Sequence, residues 1–137
     1  MNKGKKRILI IDDDEAMCEE MGEILKGEGF WVDAVFNGFD AKKILEWNRY
    51  DLVLLDMKLP GVFGTEILKI AKEIKSGAKI LVMSGSDIVT QFKEGNKAVI
   101  PGSQEALLQL ADGVIGKPFK VEDILLKVKG FLRGGKS

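Results

Sequence analysis

Residues 8–15 read Ile-Leu-Ile-Ile-Asp-Asp-Asp-Glu, a short apolar and largely β-branched run that ends abruptly in acidic side chains. A strand that is buried on both faces of a parallel sheet has this continuous apolar character. Two later runs, Leu-Val-Leu-Leu at residues 52–55 and Ile-Leu-Val-Met at residues 80–83, repeat the pattern. The three runs therefore predict the central strands of a parallel sheet.

Weaker apolar runs at residues 32–36 and 113–115 predict two further strands. Between the strands, apolar residues recur at helical spacing, for example within residues 17–25 and 121–132. Strand and helix alternate from end to end. This order predicts the α/β class, a doubly wound sheet of five parallel strands with helices on both faces and right-handed crossovers.

The chain has 137 residues, which is the usual size of one domain. We expect this domain to span residues 7–132, with a basic tail at residues 1–6 and a short tail at residues 133–137. Lys plus Arg and Asp plus Glu number 21 each, so the formal net charge is zero. Without a net positive charge, the chain has no overall electrostatic field that would attract nucleic acid or a membrane surface.

The sequence contains one cysteine, Cys18, and no histidine. These counts exclude an internal disulfide, a multi-thiolate zinc site, Ser-His-Asp hydrolysis and phosphohistidine chemistry within the chain. The basic tail runs through only four apolar residues into Asp12, so it does not read as a secretion signal. No apolar stretch is long enough to cross a bilayer, and we expect a cytoplasmic protein.

Polar residues follow four of the predicted strands at the point where each strand ends. Asp12 and Asp13 follow the first strand, Asp56 the third, Ser84 the fourth and Lys117 the fifth. Ligands of open α/β sheets bind at the carboxyl ends of the strands, so we expect these side chains to share one crevice. Neighbouring carboxylates repel one another unless a cation is present, and an all-oxygen ligand set favours Mg²⁺.

Each residue type in this group has a chemical role. A carboxylate beside Mg²⁺ can attack phosphorus and form an acyl phosphate. Asp56 is the preferred nucleophile because it stands alone at its strand end, with Asp12 and Asp13 opposite as metal ligands. Lys117 would offer a positive charge to the phosphoryl group, and Ser84 would donate a hydroxyl hydrogen bond to it.

These segments resemble those of response-regulator receiver domains, and the resemblance covers nearly the whole chain. It implies a flavodoxin-like receiver fold with strand order 2-1-3-4-5, in which the domain accepts a phosphoryl group from the phosphohistidine of a sensor histidine kinase or a phosphotransfer protein. The matching segments are residues 8–15, residues 51–61 with Gly64, residues 80–85 and residues 117–119.

The resemblance also implies roles for individual residues. By position, Asp56 is the phosphoacceptor, Asp12 and Asp13 are the acidic metal pair, and the backbone carbonyl of Lys58 is a further Mg²⁺ ligand. Ser84 resembles the switch hydroxyl of the family. Lys117 resembles the lysine that contacts the phosphoryl group, and its bond to the following proline is expected to be cis.

Two features depart from the family pattern. Receivers generally carry an aromatic residue three positions before the strand-end lysine, where this chain has Val114. The segment between the last two strands, residues 87–112, is also enlarged relative to the earlier strand–helix units. We expect output to pass through a surface built by this segment, the fifth strand and the last helix to a downstream protein target, with a second copy of the chain as a further candidate partner.

Three competing interpretations fit parts of the sequence. A haloacid-dehalogenase-like phosphatase would use Asp12 and Asp14 as its acidic pair, but it leaves Asp56 without a role. A non-phosphorylated pseudo-receiver would keep the fold as an interaction module, and the Val114 substitution favours it. A nucleotide-binding module is weakly supported, because no glycine-rich phosphate loop follows the first strand.

Overall fold

A computed structural model describes residues 5–57, 64–73, 77–84 and 110–132. Within them lie five strands and four helices. The strands are β1 (Arg7–Ile11), β2 (Trp31–Val35), β3 (Leu52–Asp56), β4 (Lys79–Ser84) and β5 (Gly113–Gly116). The helices are α1 (Glu15–Gly27), α2 (Gly38–Trp47), α3 (Gly64–Glu73) and α4 (Val121–Leu132).

The five strands form one parallel sheet in the order β2-β1-β3-β4-β5. This order confirms the predicted α/β class and the strand order that the resemblance implied. Strand β1 pairs with β2 on one side and with β3 on the other, so the carboxyl ends of these strands meet at one edge of the sheet.

Two apolar clusters cover the two faces of the sheet. Leu9 and Ile11 of β1 belong to one cluster, whereas Ile8 and Ile10 belong to the other, and all four side chains are fully buried. Successive residues of a strand point to opposite faces, so burial on both faces requires an unbroken apolar run. Full burial of one such side chain stabilises the fold by about 1.5–3 kcal/mol. This stabilisation favours apolar residues at every position of the central strands, and the resulting run can be recognised in the sequence.

Two helices begin with side-chain caps. The Asp14 side chain accepts a hydrogen bond from the backbone N–H of Met17 at 3.0 Å, and the Asn37 side chain accepts one from the backbone N–H of Asp40 at 2.8 Å. Such caps satisfy backbone donors that have no partner within the helix.

A polar network ties the amino-terminal edge of the sheet together. The Tyr50 hydroxyl donates a hydrogen bond of 2.6 Å to Asp33, and the Arg7 guanidinium lies 3.7 Å from the same carboxylate. The Arg7 guanidinium also lies over the Tyr50 ring, and the Arg7 backbone N–H donates to Asp51 at 2.8 Å. This network lies at the opposite end of the strands from the predicted site.

Residues 87–109 of the predicted enlarged segment, and the tail at residues 133–137, lie outside the described residues. The predicted domain limits therefore stay predictions. None of the described helices has the combination of length and apolar character that a bilayer crossing requires.

Candidate metal centre

Three carboxylates meet at the carboxyl edge of the sheet. Asp12 follows β1, Asp13 comes next in the loop, and Asp56 is the last residue of β3. One oxygen from each carboxylate lies within 4.8 Å of the others. Asp12 is fully buried and Asp56 is 6% exposed, whereas Asp13 is exposed to solvent. The predicted grouping of these three residues is thus present in the structure.

The loop after β1 holds Asp12 firmly. Its backbone N–H donates to the carbonyl of Val35 at 3.1 Å, and its Oδ1 accepts from the backbone N–H of Asp14 at 2.9 Å. The buried Cys18 thiol donates to the Asp12 carbonyl at 3.5 Å. The sequence pointed to neither the Asp14 nor the Cys18 contact, because a hydrogen bond within a loop leaves no periodic signal.

Lys117 provides the positive charge at this edge. Its Nζ lies 2.7 Å from Asp12 Oδ2 and 3.4 Å from Asp56 Oδ2. Burial by itself lowers the pKa of Lys117, but the hydrogen bonds and charges of Asp12 and Asp56 outweigh it, so the pKa lies above its ordinary value. The following peptide bond, Lys117–Pro118, is cis as predicted.

The donor set matches the chemistry of Mg²⁺. Asp12, Asp13 and Asp56 offer carboxylate oxygens alone, and Asp13 keeps one side of the cluster open to water. Magnesium is usually bound by one or two carboxylates while it retains several waters and contacts phosphate oxygens. The residues present therefore fit a Mg²⁺ site that is accessible to a phosphorylated ligand.

Two predicted site residues are less completely described. Strand β4 brings Ser84 to the carboxyl edge, where its backbone is in register with Gly116 of β5, but its side chain lies outside the described part of the structure. Lys58 lies outside the described residues altogether. Val114, at the position of the usual aromatic, is 8% exposed and belongs to the apolar cluster that includes Ala111 and Val82.

Comparison with known proteins identifies the family to which the chain is related. The response regulator receiver domain profile matches residues 8–129. The DNA-binding response regulator MtrA of Mycobacterium bovis is 32% identical over 137 residues, which cover 97% of this chain and 53% of the relative. Sporulation initiation phosphotransferase F of Bacillus subtilis is 33% identical over 127 residues, covering 93% of this chain and 94% of the relative. The chain thus spans about half the length of the mycobacterial relatives that it matches.

Solved structures agree with this assignment. A CheY-like response regulator receiver domain protein from Methanospirillum hungatei superposes with a TM-score of 0.77 at 32% identity, covering 96% of this chain and 97% of that one. The response regulator TrrA from Thermotoga maritima, solved in complex with Mg²⁺ and BeF, gives a TM-score of 0.70 at 29% identity, with 92% and 98% coverage. Fold, site and sequence together place the chain in the response regulator receiver domain family of two-component systems.

Proposed function

We propose that the domain is a phosphoacceptor switch in which Asp56 takes a phosphoryl group from a phosphohistidine of a sensor histidine kinase or phosphotransfer protein. The observation that carries this proposal is the meeting of Asp12, Asp13, Asp56 and Lys117 at one edge of the sheet. The 137 residues contain no histidine, so the donor histidine lies outside them. The reaction takes place in the cytoplasm.

In the transfer step, a carboxylate oxygen of Asp56 attacks phosphorus and the product is an acyl phosphate. The new phosphorus–oxygen bond forms while the phosphorus–nitrogen bond of the donor breaks, and the bond electrons leave with the donor imidazole. Asp56 is almost buried at the end of a central strand, which limits its rotamers. A nucleophile held in this way needs little reorganisation before it reacts.

Asp12, Asp13 and Asp56 would hold Mg²⁺, together with the backbone carbonyl of Lys58. The ion would offset the negative charge on the phosphoryl oxygens. Among the protein groups, Lys117 would contact a phosphoryl oxygen through its ammonium, which already lies 3.4 Å from Asp56. Ser84 would donate a hydroxyl hydrogen bond to another phosphoryl oxygen.

The signal would then pass by conformational change to a downstream protein. Val114 cannot provide the aromatic rotation that usually accompanies the switch hydroxyl, so residues 87–112, strand β5 and helix α4 are the proposed output surface. Homodimerisation on phosphorylation would be a second way of passing on the signal. On this proposal the domain catalyses only its own phosphorylation and dephosphorylation.

The proposal is tested by intact mass after incubation with acetyl phosphate, a small phosphodonor. We expect one added phosphoryl group on the wild-type chain in Mg²⁺, and none with EDTA or in Asp56→Asn. Asp123→Asn is the matched control, because Asp123 is an exposed acid in the first turn of α4 and should be phosphorylated normally.

The outcomes separate the proposal from its rivals. A metal-dependent adduct that requires Asp56 supports the phosphoacceptor switch. Absence of any adduct, together with absence of Mg²⁺ binding by titration calorimetry, would instead favour a non-phosphorylated interaction module. An adduct that persists in Asp56→Asn would place the chemistry on another residue.

A further inference from the structure

A groove of about 290 Å³ lies between helix α1 and the edge strand β2. Its floor is formed by small or apolar residues, including Gly22, Val32 and Ala34. Its outer wall carries the exposed carboxylates of Glu15, Glu19 and Glu23. The groove therefore has an apolar floor and an acidic wall.

The backbone of β2 has an open hydrogen-bonding edge. Strand β2 pairs only with β1 among the described strands. The N–H of Trp31 and the carbonyl of Val35 both bond toward β1. In a parallel pair, the N–H and C=O of one residue point to the same side and alternate along the strand. The corresponding groups of Val32 and Ala34 thus point to the open edge, directly beside the groove.

The negative charge of the acidic wall is not neutralised by ion pairs within the described part of the chain. None of the three glutamates forms an ion pair within the described part of the chain. The whole chain has a formal net charge of zero, so this concentration of negative charge is local. Lys26 also lines the groove, so three carboxylates and one ammonium leave its charge negative. A row of cationic side chains would therefore be complementary to this wall in charge.

The spacing of the wall fits an extended chain. Glutamates four residues apart on a helix repeat at about 6 Å along its axis. Side chains on one face of a strand repeat at about 6.6 Å, which is twice the rise per residue. A strand added to the open edge of β2 would therefore bring every second side chain close to successive glutamates.

We propose that this groove binds an extended segment of a partner protein that carries Lys or Arg at alternate positions. The segment would add to the edge of β2 through the backbone groups of Val32 and Ala34, while its cationic side chains pair with Glu15, Glu19 and Glu23. Main-chain hydrogen bonds supply affinity in such strand addition, and the alternate side chains supply specificity.

A second copy of the chain is a poorer occupant. If two β2 strands paired edge to edge, the two acidic walls would face each other, and like charges across such an interface are unfavourable. The basic tail of a second copy, which contains Lys3 and Lys5, is a self-binding arrangement with suitable charge. Deletion of residues 1–6 tests it.

The test is an amide NMR titration with a synthetic peptide of alternating lysine and valine, three of each, with blocked ends. We expect saturable shifts at Val32, Ala34 and the groove side of α1, and slower hydrogen exchange at the amides of Val32 and Ala34. Binding should weaken as salt is raised. The double variant Glu19→Lys/Glu23→Lys should weaken it roughly tenfold, because two favourable pairs become repulsive.

The matched control is Glu20→Lys/Glu46→Lys, which makes the same charge change at exposed helical sites outside the groove and should bind the peptide like the wild type. Spectral dispersion shows that each variant is folded. The proposal is overturned by absence of binding at millimolar peptide, by shifts located elsewhere, or by equal binding of a glutamate–valine peptide. Concentration-dependent shifts of the protein alone that vanish when residues 1–6 are deleted would assign the groove to a second copy.

Discussion

Lys117 Nζ donates a hydrogen bond of 2.7 Å to Asp12 Oδ2, although the two residues are 105 positions apart in the chain. The same ammonium lies farther from Asp56, at 3.4 Å. Among the described residues, Lys117 is therefore the cation that pairs with the fully buried Asp12 carboxylate. A bound Mg²⁺ would neutralise the same group of carboxylates, so the effects of lysine and metal on stability should be coupled.

The first prediction concerns this coupling. Lys117→Gln should lower the thermal midpoint in EDTA, because Asp12 and Asp56 lose the positive charge of the neighbouring ammonium. Addition of Mg²⁺ should then raise the midpoint of the variant by more than that of the wild type, since the metal bound to the folded state replaces that positive charge. Thermal unfolding followed by circular dichroism, with and without Mg²⁺, measures both quantities. Lys43→Gln, an exposed change on α2, is the control, and equal Mg²⁺ effects in all three proteins would contradict the coupling.

Asp14 offers a second prediction, which also distinguishes the competing mechanisms. Asp14→Ala removes the cap of α1 and should cost about 1 kcal/mol of unfolding free energy. Phosphorylation of Asp56 should survive, because only the backbone N–H of Asp14 contacts Asp12 and the substitution keeps that group. Chemical denaturation and intact mass test the two statements.

Two variants complete that experiment. Asp14→Asn retains a side-chain acceptor and should restore most of the stability. Asn37→Ala removes the cap of α2 and should show a similar loss without any effect on the site. If Asp14→Ala is folded yet takes up no phosphoryl group, a mechanism that uses Asp12 and Asp14 as an acidic pair gains support.

A third prediction follows from Tyr50, which is the only tyrosine in the chain. Burial, and then the hydrogen bond to Asp33, raise the pKa of Tyr50 above its ordinary value of 10.0. The folded state thus binds the phenolic proton more tightly than the unfolded state does. The associated stability is present below pH 10.0 and is lost as pH rises above that value.

Spectroscopic titration of tyrosinate absorbance should therefore show delayed ionisation of the native protein relative to the chain in denaturant. In Asp33→Asn, which removes the neighbouring charge, the native transition should shift toward the ordinary value. Tyr50→Phe should lower the unfolding free energy by about 1 kcal/mol through loss of the hydrogen bond. Coincident titration of native and denatured protein would refute this reading of the network.

Cys18 supports a fourth prediction. Burial is the main cause that raises the pKa of its thiol to about 12, and the side chain is 2% exposed. The thiolate is the reactive form, so Cys18 should resist a disulfide reagent at neutral pH in the folded protein and react at once in denaturant. Thiol release followed by absorbance measures the two rates, with Cys18→Ala as the blank. Reaction of the native protein at the rate of a free thiol would mean that α1 opens readily.

The class of fold and the meeting of three carboxylates could be predicted from the amino-acid sequence. The apolar runs at residues 8–11, 52–55 and 80–83 predicted central strands, since a strand covered on both faces needs an unbroken apolar run. Strand ends in a parallel sheet share one edge, so the positions of Asp12 and Asp56 implied that they would meet. The carboxylate group in the structure confirms that grouping.

The contacts between individual groups, by contrast, depend on how the elements pack in three dimensions. Strand pairing and loop path place Lys117 closer to Asp12 than to Asp56, and they set the Cys18 thiol against the Asp12 carbonyl. The groove between α1 and β2 could not be predicted from the sequence either, because its lining residues come from two separate elements. Periodicity reports which face of an element is buried, whereas distances between elements depend on register and packing, and those arise from the whole set of contacts at once.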